Sequence, residues 1–265
     1  MDALAALRLQ IEWGADEALA EAPVDRFGTT VARLAEAARP SPMAPATPRP
    51  RAAAAAPPPA LRAQEHAQQI AAACRTREEL RAALAAFDGC PLSATATNLV
   101  FADGNPDAGL MLIGEGPGAE EDRAGRPFVG PSGQFLDRML ASIGLTRDHY
   151  LITNLIAWRP PGNRNPTESE IAICLPFLLR HIALVRPRRI VLLGNIPTQA
   201  VTGSRTGITR LRGKWLPITI PGLDAPIPAL PMLHPAFLLR AHGAKRDAWA
   251  DMIALRRALD ADAAA

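Results

Sequence analysis

Between residues 109 and 259, short apolar runs alternate with longer segments of helical period, and no other feature of the chain constrains its fold as much. The apolar runs at 109–113, 150–154, 189–194 and 229–233 have the length of buried strands. Helices are expected over 132–143, 167–185, 195–202 and 245–259. Alternation of this kind predicts a mostly parallel sheet covered by helices on both faces. Ahead of it, helices are expected at 63–73 and 76–86, the second opened by Thr76 with Glu79 three residues later, a capping box. Residues 3–20 and 29–38 also read as helices, being Ala/Leu-rich with charges on one side. Residues 40–60 contain eight prolines and the run Ala52–Ala56, a linker composition. Three regions are therefore expected: an N-terminal helical segment over 1–39, a flexible linker over 40–62 and a folded domain over 63–265.

The first apolar run ends in Gly114-Glu115-Gly116-Pro117-Gly118. Glycines there let the backbone pass close to a ligand. The crevice beyond the carboxyl ends of such strands is where open α/β sheets bind ligands. Gly114-x-Gly116-x-x-Ala119 formally matches a dinucleotide fingerprint, yet its surroundings oppose that reading. Glu120, Glu121 and Asp122 would crowd a pyrophosphate with negative charge, and Pro117 removes an amide donor. The acid about twenty residues on, Asp137, falls inside a helical pattern instead of at the end of a second strand.

Charge says little about partners. The net charge is +3, with −1 in residues 1–60 and +4 in the remainder, and Lys214 and Lys245 are the only lysines. Arginine suits bidentate phosphate contacts, although a compositional bias of the gene explains the Arg, Ala and Pro excess equally well. Three unevenly spaced cysteines suggest no disulfide framework, and a reducing cytoplasm is the expected location. No signal-peptide pattern and no run of 18 apolar residues is found, so no membrane association is expected.

Four segments occur in order: Gly104-Asn105-Pro106-x-Ala108; the glycine loop running on to Gly125-Arg126-Pro127-Phe128-Val129-Gly130; Thr153-Asn154 followed by Arg159-Pro160-Pro161-Gly162-Asn163-Arg164; and His234-Pro235-Ala236. Together, from about Phe87 to Trp249, they resemble the family 4 uracil-DNA glycosylases. The resemblance implies a three-layer α/β/α sandwich around a four-stranded parallel sheet. It also implies a DNA-repair enzyme that hydrolyses the bond between uracil and deoxyribose. No lysine lies within the motifs to form a Schiff base, so a monofunctional enzyme without lyase activity is expected. The loop 159–167 lacks the histidine with which a related subgroup traps the sugar, so turnover is expected. A non-catalytic binder of uracil or damaged DNA is the alternative.

Such an enzyme must extrude its nucleotide from the stack. Glu115 is the candidate for stabilising the sugar cation and orienting water, and His234 for donating to uracil O2 as negative charge develops. Gly116, Phe128 and Asn154 are expected in the uracil pocket. Phe128 offers a flat face for the base, and Asn154 offers a donor and an acceptor that match uracil and mismatch cytosine. Asn163, Arg164, Leu238 and Arg240 are expected at the DNA, with Arg159 and Arg164 on phosphates and the segment after His234 entering the minor groove. The partner expected is uracil-containing DNA, bound by a monomer, with residues 1–39 available to a repair partner.

The chain departs from the resemblance at the iron–sulfur ligands. Phe87 stands where the first cysteine of Cys-x-x-Cys-Pro-Leu belongs, and Trp158 stands where the third ligand belongs. Only Cys90 and Cys174 remain, and two thiolates do not hold a four-iron cluster in the usual way. No cofactor and no metal are therefore expected, and Phe87 and Trp158 are expected to touch or nearly touch.

Overall fold

The computed structural model describes residues 59–264. The helices expected at 3–20 and 29–38, and the linker up to residue 58, lie outside the described residues. The last part of the expected linker is helical: α1 spans Pro59–Ala73, starting four residues earlier than expected. Proline is accepted at the start of a helix because its missing N–H would be unpaired there anyway. Helix α2, Arg77–Ala85, is capped by Thr76, whose hydroxyl accepts the Glu79 amide at 3.1 Å.

The sheet has six strands, β1 (Ala102–Gly104), β2 (Leu110–Gly114), β3 (Leu151–Asn154), β4 (Arg189–Leu193), β5 (Leu216–Ile218) and β6 (Ile227–Met232). Their spatial order is β1-β3-β2-β4-β6-β5. The four inner strands are parallel, as expected, but β1 and β5 add antiparallel edges. The expectation of four strands is thus corrected to six. Each edge strand is three residues long, and Pro217 in β5 is tolerated because an edge strand has one side free of ladder bonds.

The inner strands are apolar on both faces. Leu110 and Leu112 face one layer with Ile152, Val191, Leu230 and Met232. Met111 and Ile113 face the other with Leu151, Ile190, Leu192 and Ala229. The first layer is closed by α4 (Pro131–Ala141) through Leu136 and Leu140, and by α9 (Lys245–Ala263) through Met252 and Leu255. The second is closed by α1, α2 and α5 (Glu168–Val185). Fully burying one such side chain contributes ~1.5–3 kcal/mol, so a dozen of them outweigh any surface contact. Three short helices were not anticipated: α3 (Ala119–Ala124), α7 (Ile208–Leu211) and α8 (Pro235–Arg240); α6 (Asn195–Thr202) follows β4 as expected. Among the described residues no helix is long and apolar enough to cross a membrane.

Candidate active site

The carboxyl ends of the four parallel strands open into one cleft. Its walls include Glu115, Gly116, Phe128, Asn154, Asn163, Arg164, His234 and Arg240, contributed by five separate loops and strand ends. Eight of the nine expected site residues therefore converge.

Asn154 is the last residue of β3 and pairs in register with Gly114, the last residue of β2. The ladder runs on beyond them: the Leu155 amide donates to Gly114 O and the Ile156 amide to Glu115 O, each at 2.9 Å. Asn154 is buried, and its Oδ1 has no hydrogen-bond partner, the only such buried side-chain atom among the described residues. An unpaired buried acceptor costs about 1–3 kcal/mol, so this one is poised for a donor from outside the protein. A Cβ on Gly114 would collide with the Phe128 ring and lie 2.5 Å from Asn154 Oδ1. Gly114 is thus required so that the ring and the amide share one wall.

Phe128 has φ 56°, a left-handed conformation that non-glycine residues rarely adopt. It is held there from outside. Arg147 Nη2 donates to Phe128 O at 2.6 Å, and the same guanidinium is gripped by Asp137 (2.9 and 3.2 Å) and Asp103 (3.2 Å). Tyr150 Oη donates to Asp137 at 3.1 Å. A Cβ on Gly133, in the first turn of α4, would collide with the Phe128 carbonyl, so helix and loop meet at backbone distance. Strained backbone at a ligand cleft persists only where its surroundings over-determine it, as here.

His234 caps α8. Its Nδ1 accepts the Ala236 amide at 3.1 Å, which leaves Nε2 to carry the proton of the neutral ring. Burial, with Arg240 adding to it and Glu121 opposing it, pulls the imidazole down to about 4. His234 is therefore a neutral donor at pH 7, with its ring centroid 6.0 Å from that of Phe128. Glu115 is half-buried and carries no hydrogen bond from another side chain among the described residues; burial raises its carboxyl above the ordinary 4.5.

A model of the uracil DNA glycosylase superfamily matches residues 101–253. The chain belongs to that superfamily. It is similar to the type-4 uracil-DNA glycosylase of Thermotoga maritima, 41% identical over 170 residues, 62% of this chain and 86% of the relative. The type-4 uracil-DNA glycosylase of Pyrobaculum aerophilum is 40% identical over 157 residues, 58% of this chain and 79% of the relative. That of Archaeoglobus fulgidus is 40% identical over 154 residues, 57% and 76% respectively.

Within this superfamily cleft one expectation is corrected, and one residue has a further partner. Leu238, expected at the DNA, is fully buried and packs with Leu233 and Ala248. Its neighbours Phe237 and Leu239 are the exposed ones, at 43% and 38%, and Phe237 lines the cleft. Arg164, expected on a phosphate, is bound bidentately by Glu170 at 2.7 and 2.9 Å. Glu170 is buried in the first turn of α5 and also accepts the Thr167 amide at 2.7 Å. The Arg164 bond holds the Glu170 carboxyl down to about 2, with Thr167 adding to it against burial. A buried carboxylate left without its cation is strongly destabilising, so Arg164 shapes the loop before it meets any ligand. Asn163, also left-handed at φ 55°, accepts Arg159 Nε at 2.7 Å, while Arg240 lies exposed on the rim.

Three residues named in the sequence contribute in ways their local pattern does not show. Gly114 clears space for protein side chains more than for a ligand. Asp137 anchors Arg147, and hence Phe128. Glu121, read only as part of an acidic run, is buried and ties two walls together: it accepts the Gly118 amide at 3.0 Å and the Gly130 amide at 2.8 Å.

The side chains present do not fit a four-iron cluster. Cys90 and Cys174 converge with 4.0 Å between their sulfurs, but no group of three or more His, Cys, Asp or Glu residues able to hold a metal occurs among the described residues. Phe87 and Trp158 are buried in the same apolar core as both thiols. The aromatic neighbours of Phe87 include Phe177, at 5.2 Å between centroids, and His66, at 5.8 Å.

Proposed function

We infer that this chain is a monofunctional uracil-DNA glycosylase, which hydrolyses the N-glycosidic bond of uracil in DNA. The observation that carries the reading is the unpaired, buried Asn154 Oδ1 at the wall of the cleft. Uracil N3–H is the donor it lacks, and the Asn154 amide N–H meets uracil O4; cytosine presents the opposite pattern and leaves both groups frustrated. Phe128 stacks on the extruded base. The neutral His234 donates from Nε2 to uracil O2 as the glycosidic bond lengthens and charge moves onto the base. The Glu115 carboxylate faces the sugar, stabilises its developing positive charge and orients the attacking water. The products are free uracil and an abasic site.

At the rim, Arg240 meets a phosphate, and Phe237 and Leu239 supply the apolar surface that fills the gap in the duplex. The enzyme works as a cytoplasmic monomer, and residues 1–39 engage a repair partner. No iron–sulfur cluster takes part; the purified protein is colourless, and four irons per chain would overturn that point. The function itself is tested by uracil release from an oligonucleotide with a single uracil. Release by the native protein is expected, together with a fall of about tenfold or more in Asn154→Asp, in which the amide donor is lost. Absence of release from a folded, DNA-binding protein would reduce it to a binder.

A further inference from the structure

We propose that Cys90 and Cys174 form a dithiol pair that closes to an intramolecular disulfide on mild oxidation, a covalent staple at the position where the family's cluster would tie the same segments. The inference rests on the cluster-free reading above.

The two sulfurs lie 4.0 Å apart although 84 residues separate them in sequence. Both side chains are buried, at 0% and 3% exposed, so neither thiol has a competing partner in solvent. Closing the gap to the ~2.05 Å of a disulfide needs a movement of about 2 Å, within the reach of side-chain rotation and small backbone adjustment. The third thiol is differently placed: Cys74 donates to Ile70 O at 3.3 Å. It has no disulfide partner among the described residues.

The position is mechanically useful. Cys90 immediately precedes the turn Pro91–Ala94, and Cys174 lies one helical turn beyond Glu170 on α5. Glu170 holds Arg164 and Thr167 at the cleft rim. A bond between the sulfurs therefore ties the chain ahead of β1 to the helix that anchors the Asn163–Arg164 loop. Hydrogen peroxide is the oxidant small enough for a buried pair. One thiol, as its thiolate, attacks a peroxide oxygen; the O–O bond breaks, leaving a sulfenic acid and releasing one water. The second thiol attacks the sulfenic sulfur, the S–O bond breaks, and a second water leaves. Two thiols and one peroxide thus give one disulfide and two waters.

The test uses the full chain, with iron measured in the same preparation. Thiols are counted by maleimide labelling in denaturant, before and after hydrogen peroxide. The expected count falls from three to one, with a Cys90–Cys174 cross-linked peptide 2 Da lighter by mass. The melting temperature is expected to rise by about 5–10 °C, reversed by dithiothreitol. In Cys74→Ser, which leaves the pair untouched, the count falls from two to zero. Cys90→Ser and Cys174→Ser keep two thiols throughout. An unchanged count, bonds to Cys74, or oxygen added without a cross-link, in an iron-free protein, overturns the proposal while leaving the cluster-free reading standing. Four bound irons overturn that reading instead.

Discussion

The cleft at the strand ends and the thiol-bearing core beneath α1, α2 and α5 belong to one domain but are satisfied in opposite ways. The core is closed: Phe87, Cys90, Trp158, Cys174 and Phe177 are all buried, and apolar contact meets apolar contact. The cleft is left open to a partner. Asn154 Oδ1 is unpaired, Phe128 and Asn163 hold strained backbones, and Glu115 carries burial without a counter-charge. Stability is stored in the first region, and readiness for chemistry in the second. The difference is possible because the sheet separates them: strand ends face the cleft, and strand sides face the core.

That contrast can be broken by experiment. The largest effect is expected from Glu115→Gln, which should lower single-turnover excision by about 10²–10⁴-fold while binding to uracil DNA and melting temperature stay near native. A melting temperature that fell in parallel would mean the cleft is structural after all. Next comes Gly114→Ala, whose added methyl must push Phe128 and Asn154 apart. A displacement near 1 Å is expected to slow excision by about a hundredfold in a protein that still folds.

The third effect is a dependence on pH. In the proposed mechanism Glu115 works as a carboxylate, and burial raises its pKa, so activity should fall on the acid side at a pH above 4.5, earlier than for a free glutamate. His234, at about 4, stays neutral through that limb. Stability follows a different curve. His181 is held down to about 3 by burial and then by Arg77, and both histidines have folded values below the ordinary 6.5. The unfolded chain therefore binds more protons below pH 6.5, and stability present above that pH is lost as the pH falls towards 4 and 3. Activity and melting curves measured on one set of buffers should separate the two.

In the core the signs reverse. Phe87→Ala should cost about 3–5 kcal/mol, read as a fall of about 10 °C in melting temperature, yet leave excision at 25 °C within about twofold of native. A large catalytic loss with intact folding would join the two regions. The smallest effect is expected from deleting residues 1–58, which leaves α1 whole: excision from short oligonucleotides should change by less than about twofold.

The inner strands were legible in the sequence because parallel strands buried on both faces read as unbroken apolar runs. The edges were not: Ala102-Asp103-Gly104 and Leu216-Pro217-Ile218 are too short and too interrupted to show a period. The same limit hid the fate of Leu238. In a six-residue helix, adjacent leucines carry no pattern that says which faces inward, and only packing against Leu233 and Ala248 decides. Arg164 was visible as a cation beside the site. That its partner is Glu170 emerges only once the loop turns back onto α5. The motif residues stand out in the sequence because their pattern is local. Glu121, Arg147 and Asp137, which position them, act across 9 to 19 residues, and in sequence they look like ordinary surface charges.

The register of Gly114 opposite Asn154 has a consequence for motion. The Asn154 amide hangs from the carboxyl end of an inner strand of the sheet, not from a lid. Amides of residues 111–114 and 151–154 should exchange with solvent only through global unfolding, the slowest opening the chain has. Discrimination between uracil and cytosine should then hold constant as temperature rises, and vanish together with the fold in a single step.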